Sequence, residues 1–265
     1  MGKYWQIIKI TFEEYFEYRL NFLLWRFRSF VSFLTLYFFW LAIYGTNDIF
    51  LGYEKSQMLT YIIGISFFKS IVLGSRSADL AGQIRSGELT KYLLRPVRIV
   101  GYWFSKDIAD KLLNIVFTVL EIIIFAKTVG VVFYFPKTVV MFSFFVILLL
   151  LATSLYFLVS FCLSLTAFWT EDVWATRWLF GIIFLEFFAG TFFPIDVLPK
   201  TLQQVIYLTP FPYLVYFPLK VWLSQLSQAL IIKSIFICFS WTVFFTYLSR
   251  TLWQRGLKKY GSFGG

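Results

Sequence analysis

Apolar residues run through this chain in long blocks separated by short polar stretches. A helix crossing the hydrocarbon core of a bilayer needs about 20 apolar residues. Six blocks predict such spans, at 27–44, 57–74, 108–129, 138–169, 174–193 and 231–248. Residues 1–21 follow another pattern. Trp5, Ile8, Phe12, Tyr15 and Phe16 recur at helical spacing, while Lys3, Gln6, Glu13 and Glu17 fall on a second face. This predicts an amphipathic helix lying in the headgroup layer, with a frayed tail as the plainer alternative. A signal peptide would show a short apolar core and a small-residue cleavage site, and neither is present.

Two segments interrupt the blocks. A polar, basic island occupies about 75–106, between the second and third predicted spans, with Pro96 and Gly101 toward its end. The second segment, 194–227, follows the fifth span and contains Pro194, Pro199, Pro210, Pro212 and Pro218. It cannot be one straight helix. Leu198, Leu202, Val205 and Ile206 recur at helical spacing, which predicts a short interfacial or re-entrant helix capping the outer end. The expected fold is an all-α membrane protein, one domain over 1–265, with six transmembrane helices.

Composition supports a bilayer protein. Of 265 residues, 59% are hydrophobic and 14% charged, with mean hydropathy +0.75. A soluble domain is about half apolar and a quarter charged. Six spans and their loops leave no room for a separate soluble enzyme domain. The net charge of +10 could suggest nucleic acid. Here the cations flank the spans, so orientation and attraction to anionic lipid is the better reading. Of 24 lysines and arginines, Lys55, Lys127, Lys137, Lys200 and Lys220 fall on one side, and Lys69 and Lys233 within or beside spans; the rest share the other side. That bias places both termini in the cytoplasm. The chain has no histidine, which removes the usual general base and commonest metal ligand. Cys162 and Cys238 sit in apolar runs and read as small buried hydrophobes.

The island divides into two short helical pieces. Asp79 is placed to cap the first, Gly87 to break it, and Pro96 to end the second. The plain alternative is a cytoplasmic loop whose arginines meet lipid phosphates. The run from Gln83 to Pro96, with its pattern Ile-x-x-Gly-x-Leu-x-x-Tyr-Leu-Leu-Arg-Pro, resembles the cytosolic loop of type-2 ABC exporter permeases. The segment from Gly190 to Pro199 is similar to the outer segment of that family. The end, Trp253 to Tyr260 followed by glycines, resembles the tail of a bacterial branch.

The resemblance implies a half-transporter in a bacterial cell membrane. A second copy or a sister permease would complete the translocation path, and a separate cytoplasmic ATPase, carrying ATP and magnesium, would dock on the island. The chain has no Gly-x-x-x-x-Gly-Lys-Ser/Thr phosphate loop of its own. On this reading Ile84, Leu89, Leu93 and Leu94 are apolar docking contacts, Arg85, Glu88 and Arg95 polar partners, and Gly87 the bend.

Three charges, Lys69, Glu121 and Glu186, lie inside apolar runs and are the candidate residues of the substrate pathway. Each costs about 2.5–3.5 kcal/mol at mid-bilayer on insertion scales, so each needs a reason. Lys69 is near enough to a span end to snorkel, as are Arg26 and Arg28. Glu121, near the outer third, could be protonated or pair with Lys127, although a separation of six is poor for a helix pair. Glu186, the most central, is expected to be protonated, to bond within the bundle or to line the substrate route. Two other classes compete: a membrane-embedded lipid-modifying enzyme, disfavoured by scattered carboxylates and absent histidine, and a non-transporting scaffold or immunity protein, which needs no island.

Overall fold

The computed structural model describes residues 2–131, 133–170, 172, 173, 178 and 180–260, the side chains of 182 and 183 apart. Helix α1 (Gly2–Glu17) leads after one intervening residue into α2 (Arg19–Tyr44). A two-stranded hairpin follows, β1 (Ile49–Phe50) against β2 (Tyr53–Glu54). Its turn residues Leu51 and Gly52 both have positive φ, which matches the right-handed twist of the strands. Helix α3 (Lys55–Ile71) opens with a capping box between Glu54 and Gln57. The island consists of a 3-10 turn (Arg76–Asp79), α4 (Leu80–Arg85) and α5 (Leu89–Leu93). Two long helices come next, α6 (Ile99–Val129) and α7 (Val139–Leu165), the latter capped by Thr138 and prolonged by a 3-10 turn (Thr166–Phe168). A π-helical run (Phe180–Phe188) precedes α8 (Lys200–Tyr207), α9 (Tyr216–Trp222) and α10 (Gln228–Lys259).

Among the described residues, four helices are long and apolar enough to cross a membrane: α2, α6, α7 with its 3-10 extension, and α10. Helix α3 with the segment 76–85 makes a fifth as a pair bent by 44°. The span expected at 174–193 falls partly outside the described residues. Its described part is the π-helical run.

Helix boundaries differ from those expected, for one physical reason. Helix α2 starts at Arg19 rather than 27, and α6 at Ile99 rather than 108. Arg26 in the first stretch, and Lys106 and Asp107 in the second, find partners inside the protein and so do not terminate the helices. Asp79 makes no side-chain cap. It faces Arg76 at 3.5 Å, and the Ser75 hydroxyl instead accepts from the Ser77 amide.

The apolar side chains gather in two cores. The larger joins α3 (Met58, Tyr61, Ile62, Phe68) to α7 (Leu148, Ala152, Leu155) and to the segment around α9 (Leu214, Leu219, Val221). The smaller lies under the island: Leu80, Ile84 and Leu89 with Tyr102 and Trp103 of α6, Phe157, Phe161 and Leu165 of α7, and Phe168. Helix α10 packs along α7, and near its C-terminal end Gly256 lets it lie against Phe168. A Cβ there would lie 2.1 Å from the Phe168 ring. Gly256→Ala is therefore expected to cost about 1–3 kcal/mol, as overpacking does, read as a lower unfolding midpoint in detergent. Gly64→Ala should cost less, because the atom it meets is the flexible end of Leu219.

Candidate functional site

The island is a bracket braced by hydrogen bonds. Gly87 takes a left-handed conformation, φ 76°, which turns the chain between α4 and α5. Its carbonyl accepts a hydrogen bond from the Tyr260 hydroxyl at 2.7 Å, beyond the end of α10. The same hydroxyl lies 3.4 Å from Thr90. Gln83 donates to the Tyr92 hydroxyl at 2.8 Å, bracing one piece against the other. The Ser164 hydroxyl donates to the Ser77 carbonyl at 2.6 Å, fixing the preceding turn to α7.

This packing corrects two of the expected docking contacts. Ile84 and Leu89 are buried in the smaller core, so they hold the bracket and do not present a surface. Leu93 and Leu94 are the apolar residues left outside, Leu94 at 82% exposure. Arg85, Glu88 and Arg95 are exposed beside them. Glu88 pairs with Lys91 at 2.7 Å, an exposed pair of little energetic weight. The Arg95 guanidinium lies over the Tyr92 ring at 5.1 Å. Tyr260 was not expected here; it lies 173 positions from Gly87, and no local pattern reveals such a partner.

A second polar array runs down α6. Asp107, Asp110, Lys111, Asn114, Thr118 and Glu121 recur every three or four residues and so share one helix face. Against this face lies Arg26 of α2, only 3% exposed. Its guanidinium donates to both Glu121 carboxylate oxygens, from Nε at 2.9 Å and from Nη2, and from Nη1 to Ser70 at 3.2 Å, Asn114 at 3.3 Å and Thr118 at 3.1 Å. Arg26 therefore does not snorkel, and the partner of Glu121 is Arg26 rather than Lys127. Further along, Asp110 accepts from the Tyr15 hydroxyl and faces Arg76 at 3.5 Å. Lys111 pairs with Asp107 at 3.2 Å and donates to the carbonyls of Ile71 at 2.8 Å and Gly74 at 2.7 Å, where α3 ends.

Lys69 and Glu186 meet at 2.6 Å, and Thr191 donates to the same Glu186 oxygen at 2.6 Å. Lys69 thus turns to a carboxylate across the bundle instead of snorkelling. Both side chains stay about one-third exposed. They line a groove of about 460 Å³ between α2, α3 and the π-helical run, together with Arg28 and Trp25.

The other end of the molecule has its own charged knot. Lys220 pairs with Asp196 at 2.8 Å and donates to the Tyr53 hydroxyl at 2.9 Å. Burial lowers the pKa of the Lys220 ammonium, and Asp196 opposes that shift. Tyr61 donates to the Gly190 carbonyl at 2.8 Å and Trp40 to that of Phe192 at 3.1 Å, so the hairpin, α2, α3 and the proline-rich segment close over one another.

A bundle of long apolar helices with internal ion pairs, bearing a braced polar bracket, defines a multi-pass membrane protein. The family model described as ABC-2 family transporter protein matches residues 30–264, and the chain belongs to that family. No curated protein matches it.

The Arg26 cluster makes a direct prediction. Arg26→Met leaves Glu121 without its partner, and breaking a buried pair costs about 3–5 kcal/mol. Glu121 keeps 25% exposure, so the lower end is expected. Arg26→Met combined with Glu121→Leu should recover most of that loss, measured as unfolding in detergent for both single variants and the pair.

Proposed function

We propose that this chain is the permease subunit of an ATP-driven exporter, forming half of a translocation path that a second copy or a sister permease completes. It spans the bacterial cell membrane six times with both termini in the cytoplasm. A separate ATPase, which binds ATP and magnesium, docks on the exposed edge of the island through Leu93, Leu94, Arg85, Glu88 and Arg95. The substrate is amphipathic: a drug, lipid, peptide or glycolipid. The groove holding Lys69 and Glu186 lies on its route, whereas Glu121 serves the bundle through Arg26.

The observation that supports this reading is the contrast within α4 and α5. One side is buried on the ends of α6 and α7, and the other presents Leu94 to solvent among charges. A lipid-contacting loop needs the cations but not an exposed leucine on a braced tip. Energy entering there reaches the spans because the tip is fixed to α6, α7 and α10. Coupling then requires that the two states of the ATPase differ in contact energy with the two membrane conformations.

The test is reconstitution with the partner ATPase, following hydrolysis and transport together. Leu94→Asp should weaken ATPase binding about tenfold, as loss of an anchor residue does, while membrane insertion is unchanged. Gly87→Ala and Arg85→Glu should leave hydrolysis running without transport. Normal coupled transport in both of those variants would remove the island from this role. Glu186→Gln should reduce transport while leaving ATPase binding intact, and unchanged transport would leave Glu186 a structural partner of Lys69.

A further inference from the structure

At the island's end of the bundle, a trough of about 860 Å³ runs between α6 and α10. Leu158 of α7, Phe104, Tyr4 and Trp253 are among the residues that line it. Two arginines line it, Arg98 just before α6 and Arg250 of α10. Both are exposed, and neither guanidinium makes an ion pair or hydrogen bond among the described residues. A third feature converges here. Helix α6 begins without a side-chain cap and without an acidic residue in its first turn. The amides of Ile99, Val100 and Gly101 therefore lack intrahelical acceptors, at the positive end of a 31-residue helix. All three residues line the trough.

We propose that the trough is a binding site for one anionic phospholipid. The phosphate sits between Arg98 and Arg250 and caps the first turn of α6. The acyl chains lie along the apolar walls over Leu158. Each element suits this ligand: free guanidinium groups and free amides for the anion, aromatic side chains at headgroup level, and an apolar channel leading away from them. A soluble anion would use only the first of these features. Tyr92 and Leu93 also line the trough, so the bound lipid stands directly behind the docking edge of the island. The site depends on the chain being a membrane protein and not on the ATPase assignment.

Native mass spectrometry of the full chain in mild detergent tests the site. The protein is titrated with dioleoyl phosphatidylglycerol or dioleoyl phosphatidylcholine. Wild type is expected to retain phosphatidylglycerol in preference to phosphatidylcholine. The double variant Arg98→Gln, Arg250→Gln should weaken phosphatidylglycerol retention about thirtyfold, from the attraction lost with two surface cations. The charge-preserving pair Arg98→Lys, Arg250→Lys should keep the preference, which a folding defect would not allow. Lys258→Gln with Lys259→Gln should leave it unchanged, and inorganic phosphate should not displace the lipid. Equal retention of the two lipids, or unchanged retention in the glutamine pair, would overturn the proposal. So would displacement by phosphate alone, or a trough filled by a second copy of the chain that holds no lipid.

Discussion

The buried guanidinium of Arg26 is the interaction on which the arrangement of the helices depends. A charge in the interior of a membrane protein is tolerated only where its donors are used, and here Nε, Nη1 and Nη2 are all engaged. The partners come from α3 and α6, so one side chain of α2 fixes three helices in register. The same logic continues along α6. Asp110 reaches Tyr15 of α1 and Arg76 of the island, and Lys111 ties off the last carbonyls of α3. The polar face of α6 is thus a seam joining the N-terminal helix, two spans and the entry to the island. Helix α6 can run unbroken for 31 residues because none of these polar groups has to reach water.

The seam and the smaller apolar core meet at the island from two directions. Arg76 and Asp107 hold its start, the Arg76 amide donating to Asp107 at 2.8 Å. Ile84 and Leu89 hold its middle, and Tyr260 holds its bend. A force on Leu94 would therefore act on α6, α7 and α10 together rather than bending a loop. On the proposed reading, that mechanical property is what the island would need as a coupling element. The Lys69–Glu186 pair differs in character. It is about one-third exposed and borders a groove, so it can exchange partners at less cost than the buried Arg26 guanidinium.

The alternation of apolar and polar blocks was enough to place α2, α3, α6, α7 and α10, because each buries its backbone polarity within itself and shows its apolar side chains as a run. Gly87 as a bend was also legible, since few other residues adopt positive φ. The pairings were not. Arg26 and Glu121 lie 95 positions apart, and Lys69 and Glu186 lie 117 apart. Hydropathy records that a charge is out of place, but not which helix brings its partner. Ile84 and Leu89 were misread as surface contacts for a related reason. On helices of five or six residues, periodicity cannot distinguish the face that packs inward from the face offered to a partner.

The most direct measurement is affinity capture of the tagged chain from its native membrane in mild detergent, with its companions identified by mass spectrometry. A cytoplasmic nucleotide-binding subunit should be recovered with wild type at near-equal amount, together with a second permease chain, and should be depleted when Leu93 and Leu94 are both changed to Asp. Recovery of the intact permease with no nucleotide-binding subunit in any preparation would contradict the central claim, that energy for this membrane bundle enters through the island.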